Sequence, residues 1–227
     1  MENKQYELCI EVLRRLNGQS LLDSVVLIGS WCMPFYKEYF SVVKYLSAIK
    51  TRDVDFLVPH PKKIKVNVDI AGLLKDLGFV VGYSGSKGYM KLEHPDLVIE
   101  FLSPERGRGT DSPVPLPQLK INAQALRFLD FLAENTIKVK VEDFYIIMPH
   151  PANFALHKLI VSQRRKKEDK SEKDKSMAFE ILNALMVKGE APKIKKAFEF
   201  ISVKWQKKII RVLEEVKNKE IVEVVKG

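Results

Sequence analysis

The chain has 227 residues, of which 46% are apolar and 30% charged, and it carries a formal charge of +9. That length buries a real core in one large domain or two small ones. No apolar run approaches the ~20 residues that span a bilayer, and the positive excess favours anionic partners, nucleic acid or nucleoside triphosphate. The only cysteines, Cys9 and Cys32, have no Cys-x-x-Cys spacing, and the first residues lack the apolar core of a signal peptide; this argues against a disulfide scaffold or a thiolate zinc site and predicts a cytoplasmic protein without membrane attachment.

Residues 4–18 read as an amphipathic helix, with Tyr6, Cys9, Ile10, Leu13 and Leu16 at helical spacing and Gly18 as its stop. Residues 25–28 are an apolar strand ending in Gly29-Ser30. A helix is predicted over 34–46, with Phe35, Tyr39, Val42, Val43 and Leu46 as its apolar stripe. Residues 53–58 form the second strand, closed by Pro59-His60-Pro61, and 69–77 a short helix with Asp69 as N-cap and Gly78 as stop. Residues 79–83 and 89–93 pair around a Ser-Gly-Ser-Lys-Gly turn, and 97–102 is a further strand. These elements give an α/β (α+β) half, residues 1–150, built on one mixed sheet with flanking helices. Residues 103–120 are a long loop rich in Pro, Gly and charge, too long for a simple connector; its Arg106 and Arg108 read either as phosphate contacts or as solvated charges. Helical periodicity over 123–132 is ambiguous, and 137–148 alternates like a strand.

From Pro151 the pattern is helical, and residues 151–227 form a second, helical domain with helices at 152–163, 177–187, 191–201 and 203–225. Between the first two lies 164–175, with seven basic and four acidic residues; a solvated, partly disordered linker is one reading, a basic flap over triphosphate or nucleic acid the other. Lys158 sits toward the apolar face of its helix. A buried lysine needs an anion, and a triphosphate would serve, which makes Lys158 a candidate nucleotide-binding residue. His157 reads as structural, and Cys32 as a small apolar filler.

The chemistry concentrates at three points. Successive strand side chains alternate, so Asp53 and Asp55 share one face. Carboxylates held that close repel, and a hard divalent cation, Mg2+ or Mn2+, removes the cost. The Gly29-Ser30 turn leaves backbone N–H groups and a hydroxyl free to approach a phosphate. Glu100 interrupts the apolar run 97–102; an acid there needs a partner, and a metal shared with Asp53 and Asp55 would be one.

This constellation resembles the nucleotidyltransferase superfamily of the DNA polymerase β type, whose hallmark is Gly-Ser at a strand-to-helix turn, Asp-x-Asp on the next strand and a third acid on a later strand. The wider spellings Ile28-Gly29-Ser30-Trp31 and Thr51-Arg52-Asp53-Val54-Asp55-Phe56-Leu57 are similar to small prokaryotic members, as is the start of the helical half at 151–159. The third acid is Glu where many relatives have Asp. The resemblance implies an enzyme that moves a nucleoside monophosphate from a nucleoside triphosphate such as ATP to an acceptor hydroxyl. Asp53, Asp55 and Glu100 would be catalytic and metal-binding, and Gly29, Ser30 and Lys158 would contact the nucleotide. The charge tilts the acceptor toward RNA or another polyanion. The competing reading is a non-catalytic nucleotide- or nucleic-acid-binding protein on a degenerate version of the same fold.

Overall fold

The computed structural model describes residues 2–41, 51–109 and 112–227. The chain divides into two compact units: residues 1–35 with 47–149, and residues 36–46 with 150–227. No helix among the described residues is long and apolar enough to cross a membrane.

The first unit opens with α1 (Glu2–Gly18), which buries Cys9, Ile10, Val12, Leu13 and Leu16 as its periodicity requires. Its sheet holds β1 (Val26–Ile28), β2 (Asp53–Leu57), β3 (Val80–Ser84), β4 (Tyr89–Glu93), β5 (Val98–Pro104), β6 (Val114–Leu116) and β7 (Ile121–Leu126). The main path runs β1-β2-β5-β4-β3, with β7 also pairing β5 and β6 pairing β7. The sheet is mixed: β2 and β7 run parallel to β5, whereas β1 is antiparallel to β2 and β4 to β5. Parallel neighbours need a long crossover, and α3 (Ile70–Leu74) lies in the chain between β2 and β5, whereas α2 (Cys32–Tyr39) lies between the antiparallel neighbours β1 and β2. The Asp69 carboxylate caps α3 by accepting from the Gly72 N–H at 2.9 Å, and Gly78 takes the left-handed conformation at the stop.

Alternation sorts the central strands cleanly. Val54, Phe56, Ile99 and Phe101 are buried on one face, with the Phe56 and Phe101 rings stacked at 5.5 Å. The other face carries Asp53, Asp55 and Glu100 toward one end. Toward the opposite end Val26, Leu57 and Leu102, joined by Ile28 beside Asp55, pack under Leu129 and Leu132 of α4 (Leu129–Glu134). One half of this face is thus sealed by a helix, and the acids occupy the other half. A hairpin of β8 (Thr136–Val141) and β9 (Phe144–Pro149) closes the unit.

Several expectations need correction. The ambiguous stretch 123–132 is divided: pairing with β5 and β6 draws residues 121–126 into strand β7, and helix begins only at Leu129, after Phe128 at φ 69°. The loop 103–120 contains β6 and a 3-10 turn, Pro117–Leu119. Helix α2 starts before Pro34, which is tolerated because a first-turn N–H has no intrahelical acceptor; the expected continuation through Val42, Val43 and Leu46 lies outside the described residues.

The second unit contains α5 (Pro151–Ser162), α6 (Glu168–Val187), α7 (Ala191–Glu199), α8 (Val203–Glu215) and α9 (Lys219–Lys226). The charge run is not a linker over its whole length: α6 begins at Glu168, with Glu168 and Asp169 in the first turn, where acids complement the helix dipole. The single helix expected over 203–225 breaks at Lys217, which adopts φ 56°, and Asn218 caps α9. At the start of α5, the His150 Nδ1 accepts from the Ala152 N–H at 3.1 Å. That leaves the proton on Nε2, which donates to the Tyr39 hydroxyl at 3.0 Å, while that hydroxyl donates to Glu190 at 2.5 Å. Burial, reinforced by Lys193 and Lys188, pushes His150 down to about 4, so the cap stays neutral at pH 7.

Candidate functional site

Gly29 ends β1 and opens a 3-10 turn, Gly29–Trp31, that feeds α2. Its φ is +74°, and a Cβ there would lie 2.3 Å from the Asp55 Oδ2. Only glycine permits both the backbone and that approach. The turn is therefore fitted to the carboxylate: Ile28 is paired with Asp55 across the β1–β2 ladder, and the next residue bends over it. Gly29 and Ser30 are both half-buried.

Asp53 is exposed and Asp55 half-buried, two residues apart on β2. The Thr51 hydroxyl donates to the Asp53 Oδ2 at 3.3 Å, and the Asp53 N–H donates to the Thr51 Oγ1 at 3.2 Å, so the first carboxylate is steered by a local turn. Glu100 is the direct register partner of Asp55 on the parallel strand β5. Paired residues in a ladder point the same way, so the sheet brings all three acids to one face.

A fourth charged residue, not anticipated in the sequence, belongs to this row. Lys91 on β4 is the antiparallel register partner of Glu100, and its ammonium forms an ion pair with the Glu100 Oε1. The two side chains are 26% and 18% exposed. Burial opposes the charge on Lys91, but the Glu100 hydrogen bond and the fields of Glu100, Asp53 and Glu93 outweigh it and hold the ammonium above the ordinary lysine range. The row across the face is Asp55, Glu100, Lys91. The signal for Lys91 was the alternation of Met90 and Leu92 around it, which reveals a face but not its partner.

The donor set suits a hard cation, since carboxylate oxygens are the ligands magnesium and manganese take. Asp53 and Asp55 fit as a two-carboxylate cradle beside the Gly29 turn. Glu100 is turned to Lys91, and among the described residues no three acidic, histidine or cysteine side chains form a ready-made metal cluster.

Lys158 lies in the helical unit on α5, 8% exposed. Its anion is internal: the ammonium donates to the Asp174 Oδ1 at 2.7 Å, while the Arg165 Nε donates to the Oδ2 at 2.8 Å. Burial opposes ionisation of Asp174, but the two cations prevail and hold its carboxyl below the usual range. In the long loop, Arg106 pairs with Asp130 at 3.2 Å.

The sequence matches the model of a nucleotidyltransferase family over residues 7–201. No curated protein matches it. Among solved structures, the fold is similar to that of an antigenic nucleotidyltransferase-like protein from Paracoccidioides brasiliensis, at 12% identity and a TM-score of 0.53, covering 98% of this chain and 91% of the other. ANT(2")-Ia in complex with adenylyl-2"-tobramycin also aligns, at 12% identity and a TM-score of 0.49, covering 86% of this chain and 99% of that one.

Proposed function

The chain belongs to the nucleotidyltransferase family, and from that premise we propose that it moves a nucleoside monophosphate from a nucleoside triphosphate to an acceptor hydroxyl at the Asp53–Asp55–Glu100 face. The observation that carries this reading is the close fit of the Gly29 turn to Asp55, itself in register with Glu100. In the reaction the acceptor hydroxyl gives its proton to solvent water, its oxygen bonds the α-phosphorus, and the bond from that phosphorus to the oxygen bridging the β-phosphate breaks to release pyrophosphate. The carboxylates of Asp53 and Asp55 would hold Mg2+ or Mn2+, which would supply charge neutralisation on the triphosphate and favour the ionised acceptor. Gly29 and Ser30 offer backbone N–H groups and a hydroxyl to the outer phosphates. Glu100, in register with Asp55 and ion-paired with Lys91, adds the third carboxylate of this catalytic face. Such catalysis is mostly positioning and charge neutralisation. Cys9 and Cys32 are both buried thiols, which supports a reducing, cytoplasmic setting.

Gly29→Ala tests the turn. The added methyl meets the Asp55 carboxylate at 2.3 Å and forces an L side chain to a φ of +74°. A displacement of roughly 1 Å at a reacting centre costs about a hundredfold, so transfer falls by about that factor while a circular dichroism spectrum stays native. Unchanged kcat/KM would separate the turn from catalysis.

For the acceptor we propose RNA. Lys204, Lys207, Lys208 and Arg211 recur at i, i+3, i+4 and i+7 on α8 and are all exposed, and the Lys208 ammonium lies 4.4 Å from the Trp205 ring centroid. A basic stripe beside an aromatic suits a single strand. Incubation with α-labelled triphosphates, Mg2+ and total RNA should label RNA. Lys204→Gln/Lys207→Gln/Lys208→Gln should lower the log–log salt slope of RNA binding by about 2, at about 0.7 per lost phosphate contact. Label found on small molecules or protein alone would overturn the RNA assignment.

A further inference from the structure

Lys91 stands where the reaction proposed above would not obviously require a cation from the protein. It is held there by the fold: β4 and β5 pair Lys91 with Glu100, and β5 and β2 pair Glu100 with Asp55. The three side chains therefore form one cross-strand row whose order no rotamer change can alter. The Lys91–Glu100 pair is half-buried, and separating it without a replacement partner carries a cost. Asp53 and Glu93 lie within the same ammonium's field. With Lys91 present, the charge of Glu100 is matched within the protein and its carboxylate is not left to a cation. Without Lys91, Glu100 is a carboxylate that a second ion can bind.

We propose that Lys91 is the resident counter-cation of Glu100 and restricts this face to a single divalent ion, its ammonium taking the electrostatic place of a second. Lys91 is a positioning residue here: it sets the direction and charge of Glu100 and, through Glu100, the number of ions the face accepts. The inference rests on Asp53 and Asp55 being cation ligands, and the experiment separates the two ideas.

Manganese binding to the full chain, without nucleotide, is followed by electron paramagnetic resonance of the free ion. The wild type binds one ion per chain, and Asp55→Asn weakens it at least tenfold. Lys91→Met binds a second ion, or binds the first at least tenfold more tightly. Lys91→Arg keeps the wild-type stoichiometry, and Lys91→Met/Glu100→Gln, which removes both charges together and avoids an unpaired carboxylate, returns to one ion. In EDTA, Lys91→Met melts below the wild type, and saturating Mn2+ narrows the gap. Lys91→Met with wild-type stoichiometry and affinity, or two ions on the wild type, overturns the role of Lys91 and leaves the proposed reaction standing. No Mn2+ binding that Asp55→Asn weakens overturns the cation site itself, and the inference with it.

Discussion

Asp55→Asn lowers nucleotidyl transfer roughly a thousandfold or more and leaves the protein folded. The substitution is isosteric, so the Gly29 turn still closes over the side chain and the β1–β2 register is kept. What is lost is one of two carboxylates proposed to hold the cation on the triphosphate. Metal-borne charge stabilisation of a phosphoryl transition state is worth several kcal/mol, and about 4 kcal/mol corresponds to roughly three orders of magnitude in rate. Stability should move the other way. Asp53, Asp55 and Glu100 share one face with Lys91 as the cation between β4 and β5, so deleting one negative charge in the absence of metal relieves repulsion. The expected pair of results is a collapse of kcat/KM with an equal or higher melting temperature in EDTA. A variant with wild-type kcat/KM would remove Asp55 from the mechanism.

Asp174→Ala destabilises the helical unit by about 3–5 kcal/mol, because it strands the Lys158 ammonium in a site where it is 8% exposed. Arg165 loses the same partner but is 40% exposed and can turn to water. Replacing both buried partners with apolar groups, as in Lys158→Met/Asp174→Leu, should recover most of the loss, since a buried pair is costly to break singly and cheap to remove whole. Urea unfolding gives the two stabilities. The same double variant bears on function: if Lys158 serves Asp174 alone, its KM for nucleotide equals that of the wild type once stability is restored. A KM raised tenfold or more would return Lys158 to the nucleotide.

Much of this arrangement is written locally in the chain. The i, i+2 spacing of Asp53 and Asp55 puts them on one face, and the apolar run before Gly29-Ser30 makes a strand end there. The hairpin β3–β4, the capped α3 and the helical second half follow from turn residues, caps and periodicity. What is not written locally is register. Asp55 and Glu100, 45 residues apart in the chain, meet through a parallel pairing, and Lys91 meets Glu100 through an antiparallel one; neither partner can be named from spacing. The same blindness leaves 123–132 with an ambiguous helical periodicity, because strand β7 is dictated by β5 and β6 rather than by its own pattern. Lys158 shows the converse. Its burial was legible, but its anion lay in a charge run that looked like linker and in fact supplies Asp174 to the core face of α6.

Whether Asp53 and Asp55 serve transfer of a nucleoside monophosphate is decided by the position of the label. The wild-type protein is incubated with Mg2+, total RNA and ATP labelled either at the α- or at the γ-phosphate. The expected result is α-label covalently joined to the acceptor, γ-label recovered only in pyrophosphate, and neither product with Asp53→Asn or Asp55→Asn. Label from the γ-phosphate on the acceptor, or α-label transfer undiminished in both aspartate variants, would contradict it.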